Sequence, residues 1–226
     1  MSRGLGDVYK RQEYDEQTYN YYGSYSFTGT KIEQAVVTAI LNVTTDDKVV
    51  VDMIKGNNEQ DYSSLKTLLE NNAYQVNEVS LATGDFDSNA KIAIMYAPSV
   101  DLDEKIVEKL STWLSNDGKY GRSLIYVPTA DMGEMPNLDD FLKEWGMSID
   151  RGYVFETDES TLVSASSPYA FTVSYGDYYK DNLKNSKIPV VVSESHAVNI
   201  TDENTAHALL KTSDKAGVLP IDADKN

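Results

Sequence analysis

The chain has 226 residues, 36 of them acidic and 20 basic, with two histidines and a formal net charge of -16. This length can bury a sizeable core, and 41% hydrophobic with 25% charged residues is typical of a globular protein. The acidic excess argues against broad binding to nucleic acid or anionic lipid. Because there is no cysteine, disulfides, cysteine-ligated zinc, iron–sulfur clusters and a thiol nucleophile are excluded.

Residues 1–12, MSRGLGDVYKRQ, lack the apolar stretch that a secretory signal needs. The run from Ser2 to Gln12 resembles a translated sequencing adapter, a peptide found at the ends of reading frames from metagenomic assemblies. We therefore expect an artefact here, with the native sequence beginning near Glu13 and continuing a longer parent protein. A native disordered tail is the alternative.

Residues 13–29 are polar and rich in tyrosine. This composition predicts an extended linker or an edge strand, and a sugar-binding aromatic surface is the alternative. The tyrosines concerned are Tyr14, Tyr19, Tyr21, Tyr22 and Tyr25.

A helix is predicted over residues 30–42, where apolar side chains recur every three or four positions and so share one face. The residues of this face are Ile32, Ala35, Val36, Ala39, Ile40 and Val43.

Strand and helix signals then alternate along the chain. The run of three valines at 49–51 predicts a buried strand over 48–54, and Ser63 or Ser64 is expected to cap a helix that ends near residue 72. Further strands are predicted over 74–79, 91–97 and 123–127, with helices from Asp103 to 117 and over 137–145. Strand-like stretches follow at 147–149, 152–155, 169–173, 188–192 and 206–212.

This alternation predicts an α/β fold with an open, mainly parallel sheet flanked by helices, because parallel strands need crossover connections. The second half is expected to add mixed β structure.

Several familiar chemical motifs are missing. The sequence contains no phosphate-binding G-x-x-x-x-G-K-[ST], no G-x-G-x-x-G, no G-x-S-x-G and no H-E-x-x-H. His196 and His207 lie in separate segments and are interpreted as packing or surface residues. The calcium-like run 85–89 is rejected because Ala90 replaces the required glycine.

One cluster of acidic residues has a structural interpretation. Asp101, Asp103 and Glu104 are expected at a helix N-terminus, where carboxylates are favourable. We expect no catalytic set, no metal site and no cofactor.

The loop after the first buried strand is the candidate ligand-binding site. Ligands of open parallel sheets bind beyond the carboxyl ends of the strands. Gly56 permits close approach of a ligand, and Asn57, Asn58 and Glu59 supply polar groups. A plain strand-to-helix turn is the alternative.

Seven segments, taken together and in this order, resemble one family, the GldG-like auxiliary proteins of ABC-type transport systems known from gliding motility. The similarity runs from about residue 28 to 216. A related domain occurs in a eukaryotic ciliary transport component. The segments are 31–40, 56–59, 65–74, 102–110, 113–119, 136–147 and 209–216.

The resemblance implies a fold like that of class I glutamine amidotransferases and flavodoxins, without glutaminase activity because the thiolate is missing. Relatives often carry a Gly-His-Gly-Glu turn where this chain has Gly56, Asn57, Asn58 and Glu59. The expected division is an adapter at 1–12, a linker at 13–29, an α/β auxiliary domain at 30–216 and a truncated tail at 217–226.

The implied function is that of a non-catalytic, extracytoplasmic domain of an auxiliary membrane subunit at the bacterial cell membrane. Its expected partners are the permease and ATPase of the same transport system, and not nucleic acid. The parent would be anchored by helices missing from this soluble fragment. A small-molecule or carbohydrate-binding module that uses Gly56–Glu59 is the alternative function.

Overall fold

The computed structural model describes most of the chain, and the four-stranded parallel sheet is its central element. The adapter-like residues 1–12 lie outside the described part. The described residues are 15–19, 25–45, 47–128, 132–181, 183–185 and 187–221.

The described part begins with an antiparallel hairpin and a helix. Strands β1 (Asp15–Tyr19) and β2 (Tyr25–Thr30) pair with each other, so the extended segment of 13–29 contains strands. Helix α1 (Ile32–Thr44) confirms the predicted helix. The alternative interpretation, a sugar-binding aromatic surface, concerns tyrosine side chains that lie outside the described part of the structure.

The parallel sheet contains four strands in the order β4-β3-β5-β6, with every neighbouring pair parallel. The predicted strands are confirmed, with bounds that differ by one or two residues. The elements of this half are β3 (Val50–Ile54), α2 (Ser63–Asn71), β4 (Gln75–Val79), β5 (Ala90–Tyr96), α3 (Glu104–Ser115) and β6 (Ser123–Val127).

Strand β3 is buried along its whole length because both faces of the sheet are covered. Val50 and Ile54 face the larger core, which includes buried side chains of α3 and of the later helix α4 (Pro136–Glu144). Val51 and Met53 face the smaller core, to which α2 contributes. Opposite orientation of successive side chains explains this division.

The second half adds short antiparallel strands. Its elements are β7 (Met147–Asp150), β8 (Gly152–Phe155), β9 (Leu162–Ser164), β10 (Ser167–Tyr175), α5 (Asp177–Lys180), β11 (Val190–Ser193), β12 (Ala197–Ile200), β13 (Leu210–Lys211) and β14 (Gly217–Pro220). Strand β10 pairs with β9, β11 and β13, whereas β7 pairs with β12 and β8 with β14.

Several predicted boundaries in this half differ from the structure, and two of the differences are large. The strand expected over 206–212 contains only Leu210–Lys211. The domain was expected to end at residue 216, but Gly217–Pro220 forms strand β14 and pairs with Gly152–Phe155. The first residues of the expected tail therefore belong to the fold.

Carboxylate side chains accept backbone N–H groups at the N-termini of three helices. Asp103 accepts a hydrogen bond from the Lys105 N–H at 2.9 Å and caps α3 as expected. Asp101 caps a different helix, because its carboxylate accepts the Asn137 N–H of α4 at 3.0 Å. For α2 the expected serine cap is wrong. The Asp61 carboxylate accepts the Ser63 N–H at 3.0 Å, since Ser63 is already helical.

The connection from β4 to β5 contains no helix within its described residues and is held by two charged side chains instead. The fully buried Asp52 accepts the Asp87 N–H at 2.8 Å. From α3, the Lys109 ammonium donates to the Leu81 and Gly84 carbonyls at 2.9 and 2.7 Å. These bonds satisfy backbone groups that a helix would otherwise have paired.

Candidate functional site

The candidate site lies at the carboxyl ends of β3 and β5. From β3 the chain crosses to β4 on one side, and it later returns to β5 on the other side. This reversal of direction creates a crevice where ligands of open α/β sheets bind. The loop with Gly56, Asn57, Asn58 and Glu59 follows β3 directly, so the structure places all four predicted residues at this point.

The Glu59 carboxylate binds the loop's own backbone. Its Oε2 accepts the Gly56 N–H at 3.0 Å, and its Oε1 accepts the Asn57 N–H at 2.9 Å. Gly56 has a φ of +116°, a conformation that side chains other than glycine rarely adopt. Asn58, with a φ of +54°, continues the turn. Together these residues close the loop around the carboxylate.

Asn57 fastens the loop to the segment after β5. Its side chain is buried and donates to the Asp101 carbonyl at 3.0 Å. Its carbonyl accepts the Ser99 and Val100 N–H groups, each at 3.1 Å. The Gln60 N–H adds a bond to the Ala97 carbonyl at 3.2 Å. The position of the loop is therefore fixed by bonds that do not involve Glu59.

Asn58 lies on the exposed side of the same junction. Its amide donates to the Ser99 hydroxyl, and that hydroxyl also donates to the Asn58 carbonyl at 2.9 Å. Ser99 could not be identified from the sequence as the partner of Asn58, because the two residues are 41 positions apart and no local pattern connects them. The cavities described for this structure lie elsewhere, so ligand binding by the four residues remains a prediction.

A charged cluster flanks the loop at the end of β4. Glu78 accepts a hydrogen bond from the Tyr62 hydroxyl at 3.0 Å. Lys55 and Lys66 each approach the Glu78 Oε2 atom at 3.8 Å. The pKa of Tyr62 is raised to about 12, mainly by burial and to a smaller extent by the hydrogen bond to Glu78. Tyr62 therefore remains a neutral donor at physiological pH.

A cavity of about 720 Å³ lies along α3, away from the Gly56–Glu59 loop. Trp113 forms part of its wall and stacks on Phe86, with ring centres 4.4 Å apart. The Arg122 guanidinium lies 5.4 Å from the Trp113 ring centre and donates to the Trp113 carbonyl at 2.9 Å. Both acidic and basic residues line the cavity, so no single ligand charge is favoured.

Glu156 is a buried carboxylate that sequence reasoning missed. It accepts the Ser213 hydroxyl at 2.9 Å and the Thr157 and Asp158 N–H groups at 2.8 and 2.9 Å. Burial acts to raise the pKa of Glu156, but the hydrogen bonds from Asp158, Ser213 and Thr157 outweigh it and hold the pKa below its ordinary value. The carboxylate joins β8 to the turn before β14 and has a structural role.

The two histidines occupy separate packing positions. His207 stacks on Tyr178 with ring centres 4.2 Å apart, and His196 stacks on Tyr153 at 6.2 Å. Within the described residues, no group of three or more His, Asp or Glu side chains is arranged to hold a metal ion.

Helix α1 presents an apolar face to solvent. The exposed fractions of Val36, Ile40 and Val43 are 51%, 54% and 80%. The helix is tied to α2 by the Thr38 hydroxyl, which donates to the Asn71 carbonyl at 2.6 Å. Its periodicity was predictable from the sequence, whereas its exposure was not. Among the described helices, none combines the length and the apolar character needed to cross a bilayer.

Comparisons with known proteins give one structural similarity. No family model matches the chain, and no curated protein matches it. Among solved structures, the mmIFT52 N-terminal domain is similar with a TM-score of 0.56 and 13% identity, over 74% of each chain. At this identity the similarity concerns the fold alone. It supports a mixed α/β fold with a four-stranded parallel sheet, flanking helices and additional antiparallel sheets.

Proposed function

We propose that this chain is a non-catalytic domain that acts through protein–protein contacts, as the extracytoplasmic part of a GldG-like auxiliary subunit of an ABC-type transport system. The observation that carries the proposal is the exposed apolar face of α1. A face of this kind marks an interaction site more often than a free surface.

The chemistry of α1 defines the partner that fits it. Glu33 is the only charged residue between Ile32 and Thr44, so the partner surface must be apolar and uncharged as well. A second copy is unfavourable, because each chain carries a net charge of -16 and the copies repel each other. We therefore assign the face to an apolar helix of a different subunit.

The strand order supports the fold class that we propose. When the four parallel strands are numbered by their order along the chain, their order across the sheet is 2-1-3-4. Flavodoxin-like sheets begin with the same strand order. We propose the flavodoxin-like and class I glutamine amidotransferase-like class on this basis. Similarity to the mmIFT52 N-terminal domain is consistent with a mixed α/β fold of this kind.

The closed loop at the carboxyl end of β3 favours contact over catalysis. Glu59 occupies two donors of the loop, and the Asn57 side chain is bonded to Asp101. The absence of cysteine also removes the nucleophile of the glutaminases that share the proposed fold.

Gene neighbourhood and a capture experiment test this function. An ABC ATPase and a multi-span permease should be encoded beside the gene, and both should be recovered with the chain from crosslinked membranes. Val36→Asp and Ile40→Asp should abolish recovery, because each places a charge in the apolar contact.

Val163→Asp is the matched control, because Val163 is an equally exposed valine (57%) on β9. Recovery that persists in both α1 variants, with folding checked by circular dichroism, would contradict the assignment of the face. Failure to find an ABC ATPase or permease in either test would contradict the transport role.

A small-molecule or carbohydrate-binding module is the second candidate, and the position of the Gly56–Glu59 loop at the crevice favours it. A thermal-shift screen over sugars and nucleotides tests this function. Stabilisation that Asn58→Ala abolishes would support it, and an unchanged melting temperature across the screen would count against it.

A further inference from the structure

We propose that the backbone N–H groups of Gly56 and Asn57 form a carboxylate-binding site that Glu59 occupies in the free protein, and that the carboxylate of a ligand can replace it. This inference goes beyond the proposed function and does not depend on the face of α1.

The geometry of the occupied site defines the ligand. The two N–H groups donate to different oxygens of one carboxylate, Gly56 to Oε2 at 3.0 Å and Asn57 to Oε1 at 2.9 Å. Two successive backbone donors of this kind form an anion-binding concavity. The Glu59 side chain therefore marks where an external carboxylate would lie.

The donors remain in place when Glu59 leaves. Asn57 is held by its bonds to Asp101, Ser99 and Val100, and none of these bonds includes the Glu59 carboxylate. A site that keeps its shape without its occupant binds a replacement without paying again for the ordering of the loop.

Access to the site is open. Gly56 and Asn58 are exposed, and Glu59 is only partly buried. Lys55 directly precedes Gly56, and the Lys55 and Lys66 ammonium groups both lie 3.8 Å from the Glu78 Oε2 atom. These two cations favour the approach of an anion.

A carboxylate fits better than a phosphate. Phosphate sites at strand ends use the N-terminus of the following helix, and here the Asp61 carboxylate already accepts the Ser63 N–H at that position, at 3.0 Å. Two donors remain, which match the two oxygens of a planar carboxylate.

Amide NMR of the full chain during titration with acetate tests the proposal. In Glu59→Ala, the Gly56 and Asn57 amide signals should shift saturably, with an apparent affinity at least tenfold higher than in the unsubstituted chain. Sodium chloride at equal ionic strength and inorganic phosphate are titrated in parallel, and both should bind more weakly than acetate.

Glu78→Ala is the matched control, since it removes a neighbouring carboxylate that does not bind these N–H groups. It also leaves Lys55 and Lys66 without their acidic partner, so it should raise the affinity for acetate slightly, and by much less than Glu59→Ala does. Glu59→Gln keeps the side-chain length, so it tests the site if the alanine variant loses the loop, and it should bind acetate more tightly than the unsubstituted chain does. Absence of saturable shifts in both Glu59 variants would overturn the proposal. Equal shifts with chloride or phosphate would overturn the choice of a carboxylate.

Discussion

Two carboxylates, Asp52 and Glu156, are almost fully buried. Each accepts a backbone hydrogen bond from a connecting segment, and each also accepts a side-chain hydrogen bond, Asp52 from Asn77 and Glu156 from Ser213. Burial of a charge is costly unless donors surround it. Each residue therefore fixes a part of the chain that contains little regular structure. Neither role was predictable, because the donors lie up to 57 positions away in the sequence.

Asp52→Ala should lower the free energy of unfolding by about 2–4 kcal/mol, because it leaves the partly buried Asp87 N–H without its acceptor and removes one of the two acceptors of the Asn77 amide. Urea unfolding measures the change. Glu203→Ala, at an exposed position, is the control and should alter stability by less than about 0.5 kcal/mol. A loss for Asp52→Ala as small as that of the control would contradict the anchoring role.

Glu156 should make stability depend on pH in the acid range. Its pKa is lower in the folded protein than its ordinary value of 4.5, so the unfolded chain binds more protons between the two values. The contribution of Glu156 to the free energy of unfolding is complete above pH ~4.5, and it is lost as the pH falls through the pKa of Glu156 in the folded protein. Unfolding free energies at several pH values for the unsubstituted chain and Glu156→Gln should converge as the pH falls through this window. A difference that is independent of pH would contradict this assignment.

The elements of residues 48–145 were largely predictable, whereas their surroundings were not. Strand β3 is a continuous apolar run because both its faces are covered, and α3 has one apolar face because one side meets the sheet. Helix α1 has similar periodicity but an exposed face. Periodicity reports which side chains share a face, and it does not report what covers that face.

The four residues of the candidate site were predictable as a group, because a polar turn after a buried strand lies at the sheet edge. The occupation of the donors by Glu59 was not predictable, since a glutamate three positions after a glycine fits many turns. Ser99 and Asp101 were missed as partners because they follow a different strand.

Gly56→Ala should destabilise the turn after β3 by about 1–3 kcal/mol, because φ at this position is +116° and a Cβ would lie 3.3 Å from the Ser80 hydroxyl. Thermal and urea unfolding measure the effect. Gly133→Ala is the matched control, since a Cβ there would meet nothing within 4 Å, and its φ is not positive. Equal effects of the two substitutions would contradict the strain at Gly56.

The whole molecule combines a parallel half with an antiparallel half, and the prediction of a mainly parallel sheet with mixed additions is confirmed at that level. The individual antiparallel pairs were not predictable, because short strands with exposed faces carry little periodicity. Pairing also joins strands that are distant in sequence, such as β7 with β12 and β8 with β14.

The net charge of -16 predicts that the chain is a monomer at low ionic strength despite the exposed face of α1. Raising the salt to about 1 M shortens the screening length to about 3 Å and should promote association. Sedimentation velocity at low and high salt measures this change. A dimer at low salt that Val36→Asp dissociates would instead assign the face to a second copy.

Strand β14 also determines when the fold can be completed during synthesis. Its partner β8 leaves the ribosome about sixty residues earlier and must wait with an unpaired backbone edge, a state that favours wrong pairing. The pairing of β8 with β14 requires glycine at position 152, because a Cβ there would overlap the Leu219 carbonyl oxygen. Any shortened version for expression should therefore extend past Pro220, since ending it at residue 216 would leave β8 permanently unpaired.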